Sequence, residues 1–269
     1  MANRPMPTQT PEVQVEAQGD LPPGMAELAR TKVLELLDAV REPVLSVRIR
    51  LTRMHNPATE RPYLAQANLD VSGRAARAHV AAGTMPEAID LLHDLLALKL
   101  ARLRRHWEAR RGGTPKAGER EHEWRHGSEP THRPDHYPRP ADEREIIRHK
   151  SFSLARETVD EAAFELDTMD YDFHLFTELA TGEDSVLYRA APTGYRLAQV
   201  HPHPEQIGTT AVQLTVSPAP APRMNTATAK RRMDTLGQPF VFFTDDVTGR
   251  GNVLYRRYDG HYGLITPAE

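Results

Sequence analysis

The sequence predicts an α+β protein. An N-terminal β-α-β-β-β-α domain, with two helices packed on one face of a small sheet, precedes two tandem small α+β domains of β-α-β-β-β order. Three observations predict this. Up to residue 111, apolar spacing switches between period two and helical period in that order. Beyond residue 142, one pattern occurs twice at a fixed offset of 67 positions, without a gap. Between them lies a stretch rich in proline, histidine and charge. The expected divisions are 12–111, a flexible linker 112–142, a first repeat 143–200 and a second repeat 211–269.

Val13 to Ala17 alternates weakly and reads as a strand, and Pro22-Pro23-Gly24 breaks the chain. Met25, Leu28, Ala29, Val33, Leu36, Leu37 and Val40 then recur at helical spacing, so a helix spans about 24–40. Val44 to Arg53 alternates, with Val47, Ile49 and Leu51 on one side and Arg48 and Arg50 on the other. Asn56-Pro57 and Ser72-Gly73 are turns flanking a third strand, 63–71, and a fourth follows at 74–81. Thr84-Met-Pro-Glu87 carries a capping box and an early proline. It opens a helix whose buried stripe is Ile89, Leu92, Leu96, Leu100, Leu103 and Trp107.

The repeat is carried by eleven identities: Phe173, Phe176, Thr177, Thr181, Gly182, Val186, Leu187, Tyr188, Arg189, Tyr195 and Leu197 fall on Phe240, Phe243, Thr244, Thr248, Gly249, Val253, Leu254, Tyr255, Arg256, Tyr262 and Leu264. Asp167-Thr168 falls on Asp234-Thr235, and a strand at Glu145–His149 falls on Val212–Val216. Two copies are too few for a solenoid, so each reads as one small domain: a strand, a helix, then three strands. Thr158 caps the first helix, and the second runs from about Thr226 to Leu236. Pro218, Pro220 and Pro222 resemble a polyproline ligand, but the repeat makes them an internal connection.

There is no cysteine, which excludes disulfides, thiolate chemistry and cysteine-based metal sites. The first residues lack an apolar signal core and no apolar run is long enough to span a bilayer, so a soluble cytoplasmic protein without membrane contact is expected. No glycine-rich phosphate loop, nucleophile motif or spaced acid cluster is present, so no enzyme activity and no cofactor are expected. The linker histidines His122, His126, His132 and His136 invite a metal site. Gly127 and Pro130 interrupt any shared helix face, so a flexible polar linker and no metal are expected.

Charge is uneven. Residues 1–111 carry +3 and the remainder −6, which makes the N-terminal part the better polyanion binder. Residues 99–111 alone carry +5, from Lys99, Arg102, Arg104, Arg105, Arg110 and Arg111 against Glu108. Basic residues suit a helix C-terminus and snorkel beside an apolar stripe, so a plain solvated face is the competing reading. Arg48, Arg50, Arg53, Arg74 and Arg77 add cations from the strands, and the whole could track a phosphate backbone.

Asn252-Val-Leu-Tyr-Arg-Arg-Tyr-Asp-Gly-His-Tyr-Gly-Leu-Ile265, following Phe240-Val-Phe-Phe243, closely resembles the C-terminal domain of the long-form bacterial ribosome hibernation promoting factors. The N-terminal layout is similar to that family's ribosome-binding domain. The resemblance implies a factor that binds the small ribosomal subunit where mRNA and tRNA pass, idling and protecting ribosomes under stress or dormancy by steric occlusion. Its implied partners are small-subunit rRNA and neighbouring ribosomal proteins. The implied rRNA contacts are Lys99, Arg102, Arg104, Arg105 and Arg110, with Arg48, Arg50 and Arg74 from the strands. The doubled C-terminal domain is similar to an actinobacterial variant linked to dormancy. The alternative is a general RNA-binding translational regulator acting on mRNA off the ribosome, since phosphate contacts are not specific.

In the single-copy family members the C-terminal domain dimerises and so pairs ribosomes. Here the second copy is tethered to the first by about Val200 to Thr210, at an effective concentration on the order of mM. Pairing within one chain is therefore expected, giving a monomer that does not join ribosomes. Phe173, Tyr188, Tyr195, Phe240, Tyr255 and Tyr262 are available for that interface, or for each repeat's own core. Limited proteolysis should cut first within 112–142 and release a stable fragment on each side. A linker that resists protease, or that zinc protects, would show that its histidines hold structure.

Overall fold

A computed structural model describes residues 11–55, 59–110, 136–191 and 194–268. It forms two compact units, one built on the N-terminal α+β segment and one on the two repeats. Among the described residues, no helix is long and apolar enough to cross a membrane.

In the first unit, β1 (Val13–Gln18), α1 (Met25–Leu37), β2 (Val44–Arg53), β3 (Tyr63–Val71), β4 (Arg74–Ala82) and α2 (Met85–Arg110) follow the predicted order. The sheet order is β1-β2-β3-β4. β1 lies parallel to β2, because α1 supplies the crossover that a parallel pair needs. The other pairs are antiparallel, and Ser72 (φ 54°) and Gly73 (φ 81°) make the tight β3–β4 turn with both residues left-handed. One face buries Val47, Ile49, Leu51, Ala65, Ala67, Leu69, Ala76, Ala78 and Val80. Small alanines on β3 and β4 let α2 approach closely with Ile89, Leu92, Leu96 and Leu103. The Thr84 hydroxyl accepts from the Glu87 N–H at 3.3 Å, as the capping pattern requires.

The second unit contains β5 (Ile146–Phe152), β6 (Arg156–Glu157), α3 (Val159–Thr168), β7 (Phe173–Glu178), β8 (Asp184–Ala191) and β9 (Gly194–Gln199). The second repeat supplies β10 (Leu214–Val216), β11 (Arg223–Met224), α4 (Thr226–Leu236), β12 (Phe240–Asp245), β13 (Gly251–Arg256) and β14 (Tyr262–Pro267). The local chemistry repeats as well. Thr158 and Glu161 form a capping box on α3, whereas Asn225 caps α4 by accepting from the Thr228 N–H. Gly237, at φ 63°, closes α4.

The sheets do not follow the repeat boundaries 143–200 and 211–269. One sheet runs β10-β9-β8-β7-β6 and the other β11-β12-β13-β14-β5. The leading strand of each repeat thus pairs in parallel with the last strand of the other, β5 on β14 and β10 on β9. Each of the two repeat domains therefore closes its sheet with one strand of the other. Alternation tells which face of a strand is buried, but not which copy's sheet receives it.

Only the end of the expected linker 112–142 is described. Residues 111–135, with His122, His126 and His132, lie outside the described residues. His136 to Pro140, however, form a strap on the β13–β14 turn. The Tyr137 N–H donates to the Tyr258 carbonyl at 2.8 Å, and the His136 ring stacks on Tyr258 at 5.2 Å. Under this strap Gly260 sits at φ 82°, where a Cβ would stand 2.7 Å from the Tyr137 oxygen and 2.8 Å from the Arg139 Cβ. Replacing Gly260 with Ala adds a left-handed backbone penalty of roughly 1–2 kcal/mol to that clash. G260A should therefore lower the melting temperature and open a protease site near Tyr137. Unchanged protection there would mean that the strap does not bear on the turn.

Candidate functional site: a basic first unit and two paired repeats

Strand alternation sorts the arginines of the first unit. Arg48 and Arg50 lie on the open face of the sheet, opposite buried Val47, Ile49 and Leu51. Across the ladder Arg48 stands beside Asn68, and Asn68 beside Arg77. Arg77 therefore shares the open face, whereas Arg74 has the parity of buried Ala76 and Ala78 and belongs to the helix side. That distinction was readable from the Ser72-Gly73 turn, which fixes the β4 register. Arg50 is held by Glu16 in a forked pair at 2.8 and 3.0 Å, and Arg53 by Asp20 at 3.2 Å. Arg48 has no ion-pair partner among the described residues.

On α2, Arg104 and Arg105 are exposed and Arg102 is half-buried. Lys99 is 2% exposed, so it does not join the exposed set. Arg110 closes the helix, and its side chain lies outside the described residues. The two groups do not form one patch. The α2 cations lie on the helix layer, with Arg74 on the same side, and Arg48, Arg50 and Arg77 lie on the opposite face of the sheet, so the unit is basic on both sides of a two-layer plate. No group of three or more His, Asp or Glu among the described residues is arranged to hold a metal ion.

In the second unit the two sheets meet through one apolar layer. Leu175, Val186, Val200, Phe242 and Val253 are its buried centre, flanked by Phe173, Tyr188, Phe240, Tyr255 and Ile265. Phe173 packs on its own equivalent, Phe240, with ring centroids 4.8 Å apart. Phe173 meets Tyr255 at 5.7 Å and Tyr188 meets Phe240 at 5.4 Å, a reciprocal pair of contacts. This is the mark of a pseudo-twofold axis. The equivalent pairs Phe173/Phe240 and Tyr188/Tyr255 are thus brought to the interface.

Tyr195 and Tyr262 are not. Each lies on the other face of its sheet, in the core under its own helix. Tyr195 donates to Asp167 at 2.8 Å, and Tyr262 donates to the equivalent Asp234. Burial, and then the hydrogen bond to Asp234, push the Tyr262 phenol above its ordinary pKa. Parity gave this away: Tyr195 is in step with Leu197 and Leu187, Tyr188 with Val186. Arg189 holds Asp167 at 2.6 Å, whereas Arg144, just ahead of the exchanged β5, holds Asp234 at 2.8 Å. Strand exchange thus brings Arg144 of the first repeat to Asp234 and Tyr262 of the second, while β5 itself lies exposed at the edge of that sheet.

With this geometry the chain is an α+β protein with two interlocked copies of one small domain. The family profile described as "Sigma 54 modulation/S30EA ribosomal protein C terminus" matches residues 141–197 and 216–264, one match on each repeat. The chain is 47% identical over 129 residues to the dormancy associated translation inhibitor of Mycobacterium tuberculosis (strain ATCC 25618 / H37Rv), covering 45% of this chain and 47% of that protein. It therefore spans about half the length of that relative. It is 48% identical over 46 residues to the ribosome hibernation promotion factor of Bacillus subtilis (strain 168), covering 17% of this chain and 24% of that one. A ribosomal subunit interface protein from Coxiella burnetii is similar at 21% identity with a TM-score of 0.30, over 35% of this chain and 97% of that structure.

Phe240 touches Phe173 and Tyr188 at the axis, so F240A should destabilise the second unit by about 3 kcal/mol. The same change at solvent-exposed Val247 should cost almost nothing. Calorimetry on the full chain checks both, and equal effects would remove the interface as a source of stability.

Proposed function

We propose that this protein is a ribosome hibernation factor. Its first unit occupies the channel of the small subunit through which mRNA and tRNA pass, and its cations contact rRNA phosphates. The observation that carries the reading is the tandem S30AE repeat, with its similarity to a translation inhibitor of dormancy. The basic plate supports it. A domain with arginines on both faces suits a cleft walled by phosphate on two sides better than a flat surface does. Contacts of this kind fix position without reading sequence, and they need no catalysis. The proposed contacts are Arg102, Arg104 and Arg105 on one face and Arg48, Arg50 and Arg77 on the other.

The two repeats satisfy one another's interface within the chain, which supports a monomer that idles single ribosomes without joining them. Replacing Arg102, Arg104 and Arg105 with Glu should weaken co-sedimentation with ribosomes about tenfold or more at 0.1 M salt. Raised salt should weaken the wild type too. Unchanged binding across salt would end the phosphate-contact mechanism. Abundant ribosome pairs on adding excess wild type, together with a homodimer mass in solution, would end the single-ribosome reading.

A further inference from the structure

The centre of the paired repeats is not symmetric, and its asymmetry is chemical. Equivalent residues that touch lie on the pseudo-twofold axis. Asp184 and Gly251 are equivalent at the offset of 67 and touch there: a Cβ added to Gly251 would stand 2.8 Å from the Asp184 Cβ and 2.8 Å from the Phe242 ring. Cβ atoms do not approach so closely, so only one of the two positions can carry a side chain.

That side chain, Asp184, accepts three hydrogen bonds from the other copy. They come from Arg250 Nε at 2.7 Å, Arg250 Nη2 at 3.1 Å and the Gly251 N–H at 2.9 Å. Asp184 is buried, 8% exposed, and a buried carboxylate needs such partners. The mirror contact does not exist. The residue equivalent to Arg250 is Glu183, whose carboxylate instead bonds the backbone N–H and ring Nδ1 of His201. The residue equivalent to Phe242 is the smaller Leu175.

We propose that these positions form a partner code. A repeat carrying Leu175, Glu183 and Asp184 accepts a repeat carrying Phe242, Arg250 and Gly251, and rejects its own kind. Two of the first kind would set Cβ against Cβ, with four carboxylates around one axis and without the guanidinium of Arg250. Two of the second kind would place two guanidiniums there with no carboxylate and lose all three bonds. The surface therefore selects the unlike repeat. This deepens the reading that the repeats close within the chain, and rests on it.

The test uses full-length chains. In the first, F242L/R250E/G251D gives both repeats the first code. In the second, L175F/E183R/D184G is added, so the two codes trade places. The first variant should lose about 10 °C or more in melting temperature of the repeat unit. The exchanged chain should recover at least half of that loss, although it carries twice as many substitutions. A first variant as stable as wild type, or an exchanged chain no more stable than the first variant, would overturn the code. Neither measurement involves ribosomes, so a failure of the hibernation reading would be seen separately. The wild-type solution mass tests within-chain closure by itself.

Discussion

The second unit depends on an exchange of edges. Each five-stranded sheet is completed by the leading strand of the other repeat, β5 on β14 and β10 on β9. Taken alone, either repeat would present an open edge and an uncovered layer of Phe, Tyr, Val and Leu. Both are liabilities for a small domain, which has little core to spare. Closing one copy on the other pairs the edges and covers the apolar layer in the same event. Arg144 then adds a polar anchor, because the segment leading into β5 brings it to Asp234 and Tyr262. Tethering within one chain makes this closure nearly independent of protein concentration.

Much of this was legible. Alternation in 44–53 predicted both the buried row Val47, Ile49, Leu51 and the exposed arginines between them. The leucine stripe of 85–103 predicted the helix that covers them. The offset of 67 predicted two copies with the same hairpins, down to the turns that end in Gly182 and Gly249, both at positive φ. What the pattern could not show was ownership. A strand such as Ile146–Phe152 carries a signal for pairing but none for the partner, and two near-identical sheets offer it equivalent edges. The docked strap at His136–Pro140 was hidden for a similar reason: its hold comes from backbone groups and from the space above Gly260, which composition does not record.

The candidate contact residues were legible in kind but not in arrangement. A cluster of arginines reads as one basic surface until strand parity and layer are applied. Parity moves Arg74 to the helix side and brings Arg77 beside Arg48. The ion pair with Glu16 leaves Arg50 less positive than Arg48, although the sequence gives them equal weight. The layers then set the helix arginines on one side of the plate and Arg48, Arg50 and Arg77 on the other. That shape is a stronger statement about what the unit could fill than net charge, which for the whole chain is −3.

Duplication also changes what an axis can hold. In a true homodimer the residue on the twofold axis meets itself, so only self-complementary chemistry survives there: stacked rings, aliphatic groups, glycine. Phe173 on Phe240 is of that kind, and it has been kept identical in the two copies. A carboxylate cannot meet itself at close range without repulsion and desolvation that nothing offsets. Once both halves lie in one chain, that constraint lifts at the positions where they touch. One side can carry the acid and the other a glycine with an arginine beside it, and an arrangement forbidden to a homodimer becomes a forked salt bridge. The price falls on versatility, because a surface specialised in this way no longer fits a copy of itself. The asymmetry at Asp184 and Gly251 thus follows from the same covalent link that lets the two sheets close without a second chain.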